Sequence, residues 1–259
     1  METPCSSEIK NLTGKKYVVF TARGNSAILA ALKYVKQKGL NDILIQDQGG
    51  WITYPQYIKK LKLNQIKLTT NYGLINKITE KNAVLLINSM PGYFVLQDMD
   101  DIAIQCKNNN LFLINDVSGS IGTKQAKEGD ILFGSFGRWK PLNMEEGGFI
   151  ATDDKEAYNF FKEFEFDISC EKLCGKLSKL QEKLNFFNDK VKEIKEDLKD
   201  YDIIHREQKG LNVVVKYSSE KEKEKLIKYC NEKKLEFVEC PKYIRVNEQA
   251  ISIEVKRLV

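Results

Sequence analysis

Asp116, Ser135 and Lys140 are the residues in this chain best suited to chemistry. Asp116 ends an apolar run, LFLIND, and the small residues Ser118, Gly119, Ser120 and Gly122 follow it. Ser135 and Lys140 stand in SFGRWK after a second apolar run, and Glu146-Gly147-Gly148 leads into a third. An acid at one strand end and an amine near the next can face one ligand from different sides. The acid holds a proton or a cation, and the lysine, as a free amine, attacks carbonyl groups. Each piece alone is weak, because acids commonly follow strands and a lone lysine is usually solvated. The combination carries the signal: strand–Asp, then strand–Ser-x4-Lys, then Glu-Gly-Gly before another strand.

The elements that must position these residues are legible from apolar patterning. Short apolar runs at Tyr17–Phe20, Ile43–Ile45, Ile66–Leu68, Ala83–Ile87, Leu111–Ile114, Ile131–Phe133 and Phe149–Ala151 read as strands. Several are continuous rather than alternating, as in strands buried on both faces. Helical patterns at Ser26–Gln37, Pro55–Leu63 and Gln97–Asn108 lie between them. Asp98 and Asp100 are expected in the first turn of the last, where carboxylates suit the helix dipole. Alternating strands and helices predict an α/β three-layer sandwich with a mostly parallel sheet, whose ligands collect at the carboxyl ends of the strands. From Leu173 to Leu198 the apolar spacing is 4,3,4,3,4,3,4, one stripe on a single long helix. Packing against its own domain is favoured for that helix over a self-associating coiled coil. Then come a strand (Leu211–Tyr217), a helix (Ser219–Lys233) with a solvated Lys/Glu face, and strands at Leu235–Glu239 and Ile251–Lys256. The expected division is a large α/β domain over residues 1–156, and a linking helix with a small α+β domain over 157–259.

In this order the motifs resemble the fold-type I pyridoxal-phosphate (PLP) enzymes, and most closely their DegT-type sugar aminotransferase branch. The matching pieces are Asp116-Val117-Ser118, Gly129-Asp130, Ser135-Phe136-Gly137-Arg138-Trp139-Lys140, Glu146-Gly147-Gly148 and Thr152-Asp153-Asp154. Upstream, Gly24, Asn25, Ser26 and Ala27 resemble the family's helix start. The resemblance implies PLP as cofactor, a Schiff base through Lys140, and Asp116 paired with the pyridine nitrogen, with Ser118 beside it. An amine attacks an aldehyde only when neutral, so burial or a nearby cation must favour the free base. The resemblance gives Gly24, Asn25, Ser26 and Ser135 to the phosphate, which suits a helix N-terminus. It gives Trp51 to stacking on the ring and Asn88 to the phenolic oxygen. On the residues alone, Gly24–Ser26 read as a plain N-cap and Trp51 reads equally well as a core residue. Gly119 stands where DegT-type enzymes carry a glutamine, and Arg245 and Arg257 are candidates for a substrate carboxylate by position only.

The resemblance implies an enzyme acting on an amino acid or amino-sugar substrate, most simply an aminotransferase, working as a homodimer. A lyase, a β-replacement enzyme such as a desulfurase or selenocysteine synthase, or a non-catalytic regulatory subunit would share the same framework. A nucleotide-binding Rossmann domain ranks last, because no G-x-G-x-x-G turn follows the first strand. With 41 Lys+Arg against 36 Asp+Glu, the chain has no clear nucleic-acid footprint. The strand-like apolar run Ala83–Ile87 is far short of the roughly 20 residues of a membrane helix. The N-terminus METPCSSEIK has no apolar core of a secretory signal. The expectation is therefore a cytoplasmic protein whose six cysteines, none in a C-x-x-C pair, are reduced. The single histidine, His205, reads as a packing or surface residue and no metal site is expected.

Overall fold

Apolar residues alternate between the two faces of a central sheet, and each face is covered by helices. The computed structural model describes residues 3–258. Seven strands, β1 (Tyr17–Thr21), β2 (Asp42–Gln46), β3 (Asn64–Leu68), β4 (Val84–Asn88), β5 (Phe112–Asp116), β6 (Ile131–Ser135) and β7 (Gly148–Thr152), lie in the order β1-β7-β6-β5-β4-β2-β3. Pairing is parallel from β6 to β3, and β7 runs antiparallel to both β1 and β6. The carboxyl ends of β1, β2, β4, β5 and β6 therefore share one edge, which Gly148 joins from the amino end of β7.

Ile43, Ile45, Val84, Leu86, Ile114, Phe133 and Ile150 face α2 (Gly24–Gln37), α3 (Thr53–Lys60) and α5 (Lys155–Phe161). The alternate positions Leu44, Leu85, Ile87 and Leu113 face α4 (Met99–Asn108). Further along the same face, Leu132, Phe149 and Ala151 pack with α1 (Pro4–Thr13) and α7 (Leu180–Asp197). This alternation is the two-residue period of pleated strands. That last core continues through α7 into a small antiparallel sheet of β8 (Val213–Lys216), β10 (Ala250–Ile253) and β9 (Phe237–Cys240), backed by α8 (Glu220–Glu232).

Several expected elements differ in extent. Asp98 caps α4, its side chain accepting from the Asp101 N–H, rather than lying in the first turn. The expected Leu173–Leu198 helix is two: α6 (Cys170–Leu177) and α7. Ser178 Oγ donates to the Gly175 carbonyl, 3.1 Å away, which a continuing helix would offer to the Lys179 N–H. Lys179 bonds back to Lys176 in a tighter turn instead. The apolar stripe nevertheless faces inward, with Leu173, Leu184, Phe187, Val191 and Ile194 all buried. The expected strand Ile251–Lys256 stops at Ile253 and turns through a 3-10 segment, Val255–Arg257, which brings Lys256 and Arg257 back toward the large sheet. The reading of six reduced cysteines is corrected: Cys5 on α1 and Cys170 at the start of α6 form a disulfide with Cα atoms 5.5 Å apart. No sequence motif marks this pair, because 165 residues separate its members.

Two outcomes test these assignments. Phe187→Ala removes a fully buried ring from the shared core and is expected to cost about 3–5 kcal/mol, read by urea unfolding. Alkylation of the unfolded, unreduced protein is expected to label four cysteines (Cys106, Cys174, Cys230 and Cys240), and reduction beforehand to expose Cys5 and Cys170 as well.

Candidate active site

The strand ends frame a cavity of about 370 Å³, within the size range of small-molecule sites. Eight of the nine residues expected to bind a cofactor line it: Gly24, Asn25, Trp51, Asn88, Asp116, Ser118, Ser135 and Lys140. Ser26 does not; it lies one residue further into α2, where its N–H donates to the Arg23 carbonyl.

The floor is Asp116, the last residue of β5 and 5 % exposed. Its Oδ1 accepts from the Ser118 N–H at 2.9 Å, and its Oδ2 accepts from Tyr54 Oη on α3 at 2.5 Å. Burial lifts the carboxyl above its ordinary range, against the opposing effect of the bonds from Ser118 and Tyr54 and the charge of Lys140. Ser118 in turn accepts from the Ser135 N–H at 2.9 Å, which ties the end of β6 to the loop after β5.

The start of α2 comes very close to that same strand end. A Cβ on Gly24 would stand 2.6 Å from Ser135 Cβ, so only glycine lets the helix N-terminus reach Ser135. The resulting cradle sets the N-terminus of α2 beside the Ser135 hydroxyl, a place suited to an anion. Asn25 Oδ1 accepts from Trp51 Nε1 at 3.0 Å and from Thr53 Oγ1 at 3.3 Å, so this side chain orients the indole. Asn88 uses its Oδ1 on the Met90 N–H, 2.9 Å away, and shapes the turn that carries Tyr93.

Lys140 sits in the loop between β6 and β7. Its Nζ donates to Tyr93 Oη and lies 4.5 Å from the Tyr93 ring centroid and 5.1 Å from that of Trp51. Lys172 Nζ on α6 donates to the Met144 carbonyl at 2.9 Å and holds the same loop from outside. Trp139, at φ 63°, has Arg138 4.8 Å from its ring and Arg257 4.3 Å from it. Tyr93 fits because residue 119 is glycine, where a Cβ would stand 2.9 Å from the tyrosine ring. Neither Tyr54 nor Tyr93 is marked by sequence spacing; the glycine in the glutamine position is the one local sign of a ring nearby.

The C-terminal segment closes the cavity with Arg245, Lys256 and Arg257. Arg245 is not free to meet a substrate carboxylate, because its Nε and Nη2 fork onto Glu254 at 2.7 and 2.6 Å. His205 is a packing residue, stacked on Phe94 and bonded through Nε2 to the Asn71 carbonyl at 2.9 Å. Among the described residues no three His, Cys, Asp or Glu side chains are arranged to hold a metal ion, and no helix is long and apolar enough to cross a membrane.

The donor set fits the cofactor that the motifs imply. An anion cradle, a buried acid whose ionisation a ring cation would relieve, and an amine open on one space. The comparisons agree. The sequence profile of the DegT/DnrJ/EryC1/StrS aminotransferase family matches residues 6–195, and that of the MJ1341 family C-terminal domain matches residues 181–259. No curated protein sequence matches. Among solved structures, Helicobacter pylori PseC, an aminotransferase involved in the biosynthesis of pseudoaminic acid, is similar with a TM-score of 0.76 at 14% identity, over 96% of this chain and 84% of that one. A DegT DnrJ EryC1 StrS aminotransferase from Brucella abortus gives 0.72 at 14%, over 97% and 85%. The E. coli GDP-4-keto-6-deoxy-D-mannose-3-dehydratase with bound hydrated PLP gives 0.73 at 14%, over 98% and 87%. At these identities the structures establish the fold.

The raised Asp116 carboxyl has a pH signature. A carboxyl that holds its proton more tightly folded than unfolded makes stability fall as pH rises from the ordinary carboxylate value toward the raised folded value. Asp116→Asn removes that loss. In ligand-free protein, the melting temperature of the variant relative to wild type is expected to increase as the pH rises above about 4. A difference independent of pH would show that the acid ionises in the fold without penalty.

Proposed function

Since the chain belongs to the DegT/DnrJ/EryC1/StrS aminotransferase family, we propose that its cavity binds PLP through Lys140 and transfers an amino group to or from an amino acid or amino-sugar substrate. Membership makes it a PLP-dependent, aminotransferase-like enzyme; the residue roles and the substrate class are our reading. One observation carries it: Lys140, Asp116 and the Gly24–Ser135 cradle open on the same cavity.

When bound, PLP supplies an aldehyde that captures amines and a ring that withdraws electrons from the carbon beside the captured nitrogen. The chain's own residues do the rest. Asp116, anchored by Tyr54 and Ser118, keeps a proton on the ring nitrogen. The start of α2 and Ser135 hold the phosphate. Trp51, its indole oriented by Asn25, would hold the cofactor ring by stacking and exclude water from that side. Lys140 would hold the cofactor through its Nζ and, as a free amine, would serve as the base at the substrate carbon, its position set by the hydrogen bond to Tyr93. Transamination needs a single base that gives and takes the proton there, and the opening of Lys140 on the cavity supports giving it that role.

Purified protein incubated with PLP is expected to gain a visible absorbance band that Lys140→Ala lacks, and borohydride is expected to fix the cofactor mass on the Lys140 peptide. Amino acids and amino sugars added to the unreduced protein are expected to alter the band when they react. Absence of the band, or the same behaviour in Lys140→Ala, overturns the reading.

A further inference from the structure

The C-terminal wall of the cavity is organised round one carboxylate that faces more positive charge than it can neutralise. Glu254, at the end of β10, is 1 % exposed. It accepts from Arg245 through both oxygens, from Ser252 Oγ at 2.9 Å, and from Lys256 Nζ at 2.6 Å, and Arg257 Nε lies 3.4 Å away. Burial, which disfavours its ionised form, is outweighed by the Arg245 bonds and charge and by Lys256, and its carboxyl falls to about 2. Glu254 is therefore an anion at any working pH. Arg257 is also paired through Nη1 with Glu236 at 2.8 Å, so among the described residues Arg245 and Lys256 are the two groups that depend on Glu254 alone, and the guanidiniums do not release protons.

Lys256 is the member that can yield. It is 3 % exposed, and its Nζ lies 4.9 Å from the Tyr93 ring, the same ring that receives Lys140. Arg245 lies 5.7 Å from that ring as well. The charged or titratable groups facing Lys256 are thus Glu254 and Arg257 from its own segment, Arg245 from the loop before β10, Tyr93 from the turn after β4, and Lys140 from the loop after β6. Burial first, then the like charges of Arg245 and Lys140, bring its ammonium down to about 7, with Glu254 opposing them.

We propose that Lys256 is a positioning residue that keeps the ammonium count at Tyr93 at one: it stays an amine while Lys140 is charged, and takes up the proton that Lys140 must shed before it can bond an aldehyde. One N–H bond breaks at Lys140 and one forms at Lys256. The electron pair released on Lys140 Nζ is the pair that attacks, so the exchange needs no redox partner. The inference rests on the cofactor reading above. It goes beyond that reading in giving the first step of cofactor capture a proton acceptor inside the protein.

The test reads Lys256 directly. Protein carrying 13Cε-labelled lysine is titrated without cofactor, and the Lys256 resonance is assigned with Lys256→Met. Its Cε shift is expected to titrate near neutral pH, well below the exposed lysines. Replacing Lys140 with Met, and separately with Gln, removes the neighbouring charge and is expected to move the Lys256 midpoint upward by roughly half a pH unit or more. Lys140→Arg keeps the charge and is expected to leave the midpoint at its wild-type value. A Lys256 midpoint in the range of exposed lysines, or one that ignores both neutral replacements, overturns the inference. PLP attachment to Lys140 is measured on the same wild-type sample. Its failure overturns the cofactor reading, and with it the role inferred for Lys256, whereas attachment with an unresponsive Lys256 overturns this inference alone.

Discussion

The free-energy cost of keeping the Asp116 carboxylate out of water governs the layout of the site. An isolated carboxylate in a protein interior either finds partners or takes up a proton. Here a tyrosine hydroxyl from α3 and a backbone N–H from its own loop supply two hydrogen bonds, and burial still outweighs them. The imbalance is useful in a binding site, since a ligand that brings positive charge to Asp116 relieves it and is selected for doing so. The dependence extends outward. Tyr54 must be buried on α3, α3 must pack beside β2, and Ser118 must bond Asp116 with its N–H while its hydroxyl receives β6.

The opposite wall solves the converse problem. Glu254 is a buried acid supplied with more partners than it needs, so the strain passes to the cations round it. Two buried carboxylates, Asp116 lining the cavity and Glu254 behind its C-terminal wall, are thus driven apart by their surroundings, one above its usual range and one below. Environments that separate like groups in this way assign them different tasks. Asp116 has a charge deficit that a cationic ligand would fill, while Glu254 anchors Arg245 and Lys256 at the cavity edge.

The sequence was most legible where chemistry sits at strand ends. Asp116, Ser135 and Lys140 fall at the close of apolar runs or shortly after, and a parallel sheet carries such positions to one edge. Gly24 on its own read as a plain helix start, and only its 2.6 Å approach to Ser135 shows why a glycine stands there. Tyr54 and Tyr93 were hidden because an aromatic residue on a helix or in a turn looks like core until its hydroxyl finds a partner. The alternation in ISIEVK reads as one strand, yet Glu254 is drawn inward by Arg245, and the strand turns into the segment that delivers Lys256. The break after Leu177 rests on one serine hydroxyl competing for one carbonyl, too small a feature for periodicity to register. The disulfide joins residues from opposite ends of the large sheet's chain path, and no local pattern could pair them.

The contact between Gly119 and Tyr93 restricts how this site can vary. A β-carbon at 119 and a ring at 93 compete for the same space, and forcing both in would push the Tyr93 ring from its place. Neither change is neutral alone: losing the ring first leaves Lys140 without its acceptor, and adding a side chain first pushes the ring away. The two positions are therefore sterically coupled: the space that a side chain at 119 would take is the space that the Tyr93 ring uses to reach Lys140.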